Sequence, residues 1–533
     1  MDKSKKNNTE IGLMITALVV LGVFLVFMIL NPKKTIGGIG GFFQGMIGTL
    51  GPLFLLLAFG SLIVSLILMF SKYGKVRLGD SKPEYSTFSW MAMMMLASLA
   101  AAALYWSLTE WAFYYETPGI GIKPRTDEAL ESSLSFQFYN WGMVNQALYA
   151  LAGVAIGYSV YVRKVRSFQT SAVCNAMIGK RLGDNGKTIL GKVIDFCVIL
   201  GILGALSSSL GLAVPLASGG LKVLFGMEAT PIVQIGIIVV IAAVYIFTSY
   251  LGTNKGMKVL SNAAAVLCVA FLIYVLCVGP TQFIFKNTVN SLGKCFHNLI
   301  PIALFTDPIK KTGFPEGWTI YFVAFYLNYV AMMGIFIAKI SKGRTIREVA
   351  AATVIGMSTC TWIFFGIDGS FSMHAFITGK VDVVSLANSG AGQSAIYSIL
   401  DILPFGGTLI PLVMLLLIVG FVAPSMDSAA LALSETVTKS GEPKMRVRLF
   451  WCVALAVIPL AVTITGSGFD AIKQVAIIVS VPFIVIIAGM ALGLFKWLKE
   501  DSLNGVHDRN LEIQREEMLQ DRGMAATTEN ATE

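Results

Sequence analysis

Apolar runs of about 20 residues, each long enough for an α-helix to cross about 30 Å of hydrocarbon, recur from Ile11 to Trp497 with few charges inside them. Backbone N–H and C=O groups in lipid must be satisfied within the protein, so such a chain can only build spanning helices or a closed barrel. The alternating ten-residue strands of a barrel are not seen, and a barrel would leave these continuous runs of Leu, Ile, Val and Ala unexplained. The sequence therefore reads as an all-α polytopic membrane protein of about 12 transmembrane helices. The spans are expected at 11–30, 50–71, 88–113, 138–162, 192–222, 230–252, 256–280, 317–340, 347–368, 405–436, 447–465 and 472–498. Hydrophobic residues fill 55% of the 533 positions and charged ones only 13%, which leaves the bilayer as the solvent.

The formal charge of +9 does not point to nucleic acid, because Lys and Arg are dispersed among short connections. The basic connections carry Lys72, Lys75, Arg77 and Lys82, then Arg163, Lys164, Arg166, Lys180 and Arg181, then Lys342 and Arg344, then Lys439, Lys444 and Arg446. Positive-inside bias then places 1–10 and 499–533 in the cytoplasm. The first run, ending at Asn31-Pro32 without a small-residue cleavage site, is expected to stay as a helix. The connections 281–316 and 369–404, on the outer side, hold stretches too short to span (Val289 to Leu304, Gln393 to Leu403) and read as interfacial helices. The tail after Lys499 reads as a solvated helix or disordered segment. Seven cysteines lack CxxC pairs or metal-ligand spacing and read mostly as free thiols, with no metal site.

No catalytic constellation is present. Of the three histidines, His507 lies in the tail and His297 and His374 in outer connections, and no GxxxxGK[ST] loop occurs. An enzyme is not expected. The chemistry left is polar and aromatic residues inside spans. In the eighth span Phe322, Tyr326 and Tyr329 recur at intervals of four and three with Phe325 beside them, so the rings share one side of the helix. Such a face can hold a desolvated organic cation at ~2 kcal/mol per good contact, although helix packing alone would produce the same stripe. In the fourth span Trp141, Asn145 and Tyr149 follow at intervals of four, mixing amide and ring. Glu110 and Asp427 are carboxylates in apolar runs and thus functional candidates, with structural pairing the rival reading for both.

The stretch from Gly317-Trp318 to Tyr326, continuing from Gly334 through Lys339, Lys342, Gly343, Arg344 and Arg347 to Glu348, resembles the signature of the betaine/carnitine/choline transporter family. Arg77 to Asp80, Glu84 to Trp90, Ser209 to Leu212, Thr306 to Pro308 and Gly313 to Trp318 support it, so the resemblance covers nearly the whole chain between the termini. It implies a LeuT-like fold in which two peripheral helices (11–71) precede two inverted five-helix repeats (88–280 and 317–498), with the solute bound near mid-membrane between them. It further implies a multi-pass protein of a bacterial-type inner (plasma) membrane, a small zwitterion or organic cation as ligand, a homotrimer and no cofactor, and it leaves sodium open.

Carried over by position, the family's aromatic cage falls on Phe325, Tyr326, Tyr329, Trp141, Gln146 and Tyr149, with Trp318, Tyr321 and Glu110 on the outer pathway. Typical members have Trp at the positions of Phe325, Tyr326 and Gln146; smaller rings and an amide should weaken the cage for a cation and add hydrogen bonding. Met333, Asn262, Ser425 and Asp427 are the coupling candidates. The sodium-driven branch resembles Gly-x-Gly-x-Gly where this chain has Ser98 to Ala102, and Thr-Ser where it has Pro424-Ser425. The sodium-independent carnitine/γ-butyrobetaine exchanger shares Met333, but has Arg where Ala264 stands. The expectation is a secondary transporter of a small quaternary ammonium or betaine-like zwitterion (carnitine, betaine or choline type), by exchange or uniport ahead of sodium symport. A membrane sensor that binds such a solute without turnover is the alternative.

Overall fold

The computed structural model describes residues 9–99, 102–165, 167–177, 188–465 and 469–529. Ala100, Ala101, Arg166, Lys180 and Arg181 of the expectations above, with 1–8 and 530–533, lie outside the described residues. Two peripheral helices, α1 (Ile11–Leu30) and α2 (Pro32–Phe70), come first. A first group follows: α3 (Thr87–Leu99), α4 (Ala102–Glu116), α5 (Asp127–Asn140), α6 (Met143–Tyr161), α7 (Thr170–Met177), α8 (Ile189–Phe225), α9 (Pro231–Leu251) and α10 (Lys258–Val278). Helices α11 (Thr281–His297) and α12 (Leu299–Ala303) link it to a second group of α13 (Ile320–Ile340), α14 (Ile346–Ala351), α15 (Met357–Ile377), α16 (Val383–Asn388), α17 (Gly392–Asp401), α18 (Leu409–Thr436), α19 (Met445–Thr465) and α20 (Phe469–Leu503). A last helix, α21 (Val506–Glu529), ends the chain.

Among the described residues nine helical stretches are long and apolar enough to span, and the pair α3 and α4, bent by 63° at their junction, makes a tenth. The apolar helices α1 and α19 occupy the expected first and eleventh spans. Isolated bridges are the only extended pairing among the described residues, so this is an all-α membrane protein. The seven cysteines are unpaired.

Burial separates the helices by role. All of α13 except Lys339 is buried, which a helix apolar on every side requires; it packs against α6, α8, α18 and α20. On α2, Leu56, Ile63 and Phe70 face outward, as lipid contact demands.

Four spans differ from expectation. The second begins at Pro32 instead of 50. The third is two helices rather than one. The fourth continues toward the outer side as α5, breaking at Trp141–Gly142. At Gly142 a Cβ would sit 2.4 Å from the Phe138 carbonyl and 3.0 Å from the Trp362 indole nitrogen, so only glycine permits the break. The ninth runs to Ile377 through a π-helical segment, Ala352–Gly356, so His374 lies in a helix rather than a connection.

One end of the molecule collects Glu10, the last helix and the described basic connections. Glu10 N donates to Val437 O at 2.8 Å, Leu78 N to Arg344 O at 2.8 Å and Gly343 N to Leu78 O at 2.7 Å. Gly343 is in the left-handed region (φ 86°), and a Cβ there would lie 2.5 Å from the Ser81 carbonyl. The tail, expected to be solvated, is instead docked. Asn510 clasps the Arg77 backbone at 2.9 and 3.1 Å, Arg77 pairs with Glu517 at 2.5 Å, and Arg163 pairs with Asp501 at 2.7 Å. Buried His507 lies 2.9 Å from the Tyr158 hydroxyl; a long polar sequence conceals these contacts because each partner lies hundreds of residues away in the chain.

Candidate functional site

The break at Gly142 ends α5 on Trp141, whose backbone leaves helical geometry (φ −99°, ψ 6°). Its ring is therefore not stacked in line with Asn145 and Tyr149, but directed across to α13 and α15. Ring centroids lie 5.4 Å from Phe322, 6.2 Å from Phe325, 6.3 Å from Tyr326 and 5.2 Å from Phe365, all at steep interplanar angles. Tyr149 stacks on Tyr326 at 4.9 Å and 26°, and Phe325 meets Tyr329 at 4.9 Å. Edge-to-face pairs of this kind contribute about 0.5–1.5 kcal/mol each beyond burial. The structure thus brings Phe325, Tyr326, Tyr329, Trp141 and Tyr149 into one buried cluster, pointing away from lipid.

Polar groups are set into the rings. Gln146, fully buried, donates through Nε2 to the Tyr326 hydroxyl at 3.3 Å, while its Oε1 has no partner. The Tyr329 hydroxyl donates to the Ala205 carbonyl at 3.1 Å, where α8 crosses. Glu110, 0% exposed, lies inside the protein and not at a lipid interface. It accepts from the Trp141 indole at 2.7 Å and from the Tyr114 hydroxyl at 2.5 Å, and Asn140 Nδ2 donates to Tyr114 at 2.6 Å. A carboxylate here orients the Trp141 ring.

Two cavities flank the cluster. One, of about 470 Å³, is walled by Tyr105, Trp106, Phe113 and Trp318 with Asn388 and Gln393 at its polar side. The other, of about 450 Å³, is lined by Glu84, Tyr85, Asn254, Lys339, Glu442 and Arg448. Trp318 and Lys339 are 21 residues apart on one helical run, or roughly 30 Å. The cavities therefore open toward opposite ends, with the rings between them. Trp318 stacks on Phe322 at 20° and 6.5 Å, and Tyr321 lies 5.5 Å from Phe322, so aromatic contact runs unbroken from the first cavity into the cluster.

The coupling candidates do not gather in one place. Met333 is buried inside α13. Asn262 donates to the Ser89 hydroxyl at 3.0 Å, leaving Oδ1 unpartnered. Ser425 donates to Leu96 O and Phe421 O at 2.8 and 3.1 Å, tying α18 to α3 just before the bend. Asp427 accepts from Arg448 and Ser249, both at 2.5 Å, a buried ion pair that joins α18, α19 and α9. Glu435 forms a second, with Lys339. Sequence reading missed Arg448, Phe365, Trp106, Tyr114 and Asp368. Arg448 and Asp368 carried a usable signal, being charges next to or inside apolar runs; the aromatics carried none beyond composition. No group of three or more metal-ligating His, Cys, Asp or Glu occurs among the described residues.

The chain is similar in sequence to known transporters. The sequence pattern described as BCCT, betaine/carnitine/choline family transporter, matches residues 12–503. A carnitine transporter of Acinetobacter baumannii is 38% identical over 452 residues, covering 84% of this chain and 81% of that protein. An uncharacterised transporter of Escherichia coli, YeaV, is 34% identical over 450 residues, covering 84% and 92%. Among solved structures, an outward-open Na⁺-coupled sialic acid symporter aligns with a TM-score of 0.45 at 15% identity, covering 82% of this chain and 85% of that one.

Proposed function

We propose, from the premise that this chain belongs to the betaine/carnitine/choline transporter family, that its solute is a small quaternary ammonium or betaine-like zwitterion of the carnitine type, held between the rings of α6, α13 and the Trp141 break. As a member of that family the chain is a multi-pass secondary transporter, not an enzyme. The observation that carries the solute class is the buried ring cluster with a free amide oxygen in it, seated between two cavities. Aromatic faces attract a desolvated cation, and Gln146 Oε1 offers an acceptor for an N–H or O–H that a wholly aromatic cage would lack. The resemblance to the A. baumannii protein supports carnitine as the first solute to try.

Movement by exchange or uniport is favoured over sodium symport. Ser425 is already engaged with two carbonyls and Pro424 stands where the sodium-driven branch has a threonine. The basic connections support cytoplasmic placement of both chain ends in a bacterial plasma membrane, and family resemblance supports a homotrimer. The test is uptake and counterflow of labelled carnitine, betaine and choline in proteoliposomes, with and without sodium. Transport of at least one is expected at equal rates in sodium and potassium. Movement of none removes the solute class, and steep sodium dependence removes the coupling mode. Binding without counterflow would establish the sensor instead.

A further inference from the structure

We propose that Asp368 is a proton-binding site of the transport cycle, taking up a proton when the α4–α15 contact is exposed to water on one side and releasing it on the other. The inference rests on the solute reading above and replaces simple uniport by movement coupled to a proton, still without sodium. Asp368 lies in the ninth span and is 2% exposed. A carboxylate in hydrocarbon surroundings is unfavourable unless it is paired, solvated by hydrogen bonds or neutralised. The other fully buried acids solve this visibly. Asp427 has Arg448, Glu435 has Lys339, Glu110 has two donors and Asp195 accepts from both the backbone and the hydroxyl of Ser171.

Asp368 has a single weak contact. Its Oδ2 accepts one bond, at 3.2 Å, from the Ser107 hydroxyl, which is shared with Leu104 O at 3.4 Å. Its Oδ1 has no partner, and among the described residues it forms no ion pair. Near the next residue, Gly369, lie the Ser107 carbonyl and the Oε1 of Gln137, 3.2 and 3.5 Å from where a Cβ would stand. Gln137 is fully buried and that oxygen is also unpartnered. Acceptors outnumber donors here, and a proton on Asp368 corrects the balance, neutralising the acid and giving it an O–H to donate.

No titratable group packed around it supplies a compensating charge. On α4, Glu110 is engaged by Trp141 and Tyr114, and Tyr105 stands against Trp106. On α5, Tyr139 lies toward Cys295 of α11, and Glu131 is paired with Lys294 of α11, while Lys286 and His297 of α11 are exposed. On α10, Cys268 is the titratable neighbour, with Cys360 of α15. His374, further along α15, packs on Phe283. On α6, Tyr149 stacks on Tyr326 and Tyr158 binds Asp501. Helices α3 and α16 and the π-helical segment before α15 carry no titratable residue.

The position also suits coupling. Ser107 sits on the outer half of the bent third span, in the first helical group, and Asp368 in the second. Trp111 Nε1 donates to Ser372 at 3.0 Å, and Ser372 donates to Leu108 O at 2.5 Å, so the two groups are zipped together along this seam. A rearrangement between the groups, which alternating access needs, must change the surroundings of Asp368, and with them its proton affinity. Gln137 also donates to the carbonyl of Trp106, a wall of the outer cavity, at 2.9 Å.

The test is pH-difference infrared spectroscopy joined to proteoliposome uptake, using wild type, Asp368→Asn, Ser107→Ala and His374→Gln. A protonated-carboxyl C=O band should appear and disappear reversibly with pH in the wild type and be missing from Asp368→Asn. Wild-type uptake should change with pH, by up to about tenfold per unit for one proton, and Asp368→Asn should flatten the profile to less than about twofold. Ser107→Ala, removing a donor to the charged form, should move the midpoint to higher pH by up to about one unit, a shift that a packing role would not produce; His374→Gln should retain the wild-type profile. The absence of a titrating band, or an unchanged uptake profile in Asp368→Asn, overturns the assignment, as does a sodium dependence that only Asp368→Asn abolishes. Because the infrared band does not require uptake, failure of the solute class and failure of the proton site are read separately.

Discussion

Substituting Glu110 asks whether that acid works by seating the Trp141 ring. Its carboxylate accepts from the indole at 2.7 Å and the Tyr114 hydroxyl at 2.5 Å with no solvent exposure. A hydrogen bond to a charged acceptor contributes roughly 1.5–3 kcal/mol and a neutral one about 1 kcal/mol. Glutamine keeps both contacts, with Oε1 accepting from the indole and Nε2 donating to Tyr114, so Glu110→Gln should weaken the seat by about 1 kcal/mol. Alanine leaves the buried indole N–H without a partner, and Glu110→Ala should weaken it by roughly 3 kcal/mol. Each kcal/mol lowers the population of seated ring at most about fivefold, and apparent Kd rises in proportion. Titration calorimetry should therefore find up to about fivefold weaker binding for glutamine and, at the limit, about a hundredfold for alanine. A double-mutant cycle isolates the route. Phenylalanine has no N–H, so on a Trp141→Phe background Glu110→Ala should act only through Tyr114, with a coupling of roughly 2 kcal/mol. Equal losses on both backgrounds would refute the seating argument and make Glu110 a charge that acts on the bound cation itself.

Other outcomes follow from contacts of the same kind. Gln146→Leu removes the free acceptor and should weaken solutes bearing N–H or O–H, carnitine and choline among them, by about fivefold, roughly 1 kcal/mol, while leaving betaine, which has neither, within about twofold in a competition assay. Arg448→Met strands Asp427 and should destabilise the protein by roughly 3–5 kcal/mol, with Asp427→Leu added on top restoring most of it; thermal unfolding measures both. His507 is held below its ordinary value by burial, with the Asp501 carboxylate acting against that shift. The docked tail thus binds fewer protons than a released one, so docking is at full strength above the free histidine pKa of about 6.5 and weakens as pH falls toward the lowered value. Protection factors over Val506–Glu529, which remove the slowing of intrinsic exchange by acid, should accordingly fall on acidification, and His507→Gln should abolish that dependence.

Periodicity reads helices and misses what breaks them. The spans were legible because length and apolarity are properties of the chain alone. The break at Gly142 was not, since glycine occurs in many unbroken spans and only the nearness of Phe138 and Trp362 makes it obligatory here; nor was the bend between α3 and α4, where Leu99 to Ala102 hold neither glycine nor proline. The ring stripe of α13 was legible as a shared face, because 3.6-residue spacing fixes which side chains align. Its partner was read differently from what is found: Trp141, Asn145 and Tyr149 are spaced as one helical row, yet Trp141 precedes the helix and reaches the cluster through the break. The role of Asp427 depended on Arg448, 21 residues away in sequence, a pairing that no local pattern discloses. The docked tail was hidden for the same reason, its partners being Lys75, Arg77 and Arg163.

The clasp at Asn510 reaches further than the last helix. The backbone it grips, at Arg77, is itself bridged to Thr345, in the turn between α13 and α14, and α13 carries most of the rings. Shortening the chain after Leu503, or fusing a bulky tag close behind it, would therefore disturb one rim of the solute route from some distance, and a loss of uptake in such a version would be a mechanical effect of the missing brace rather than damage to the cage.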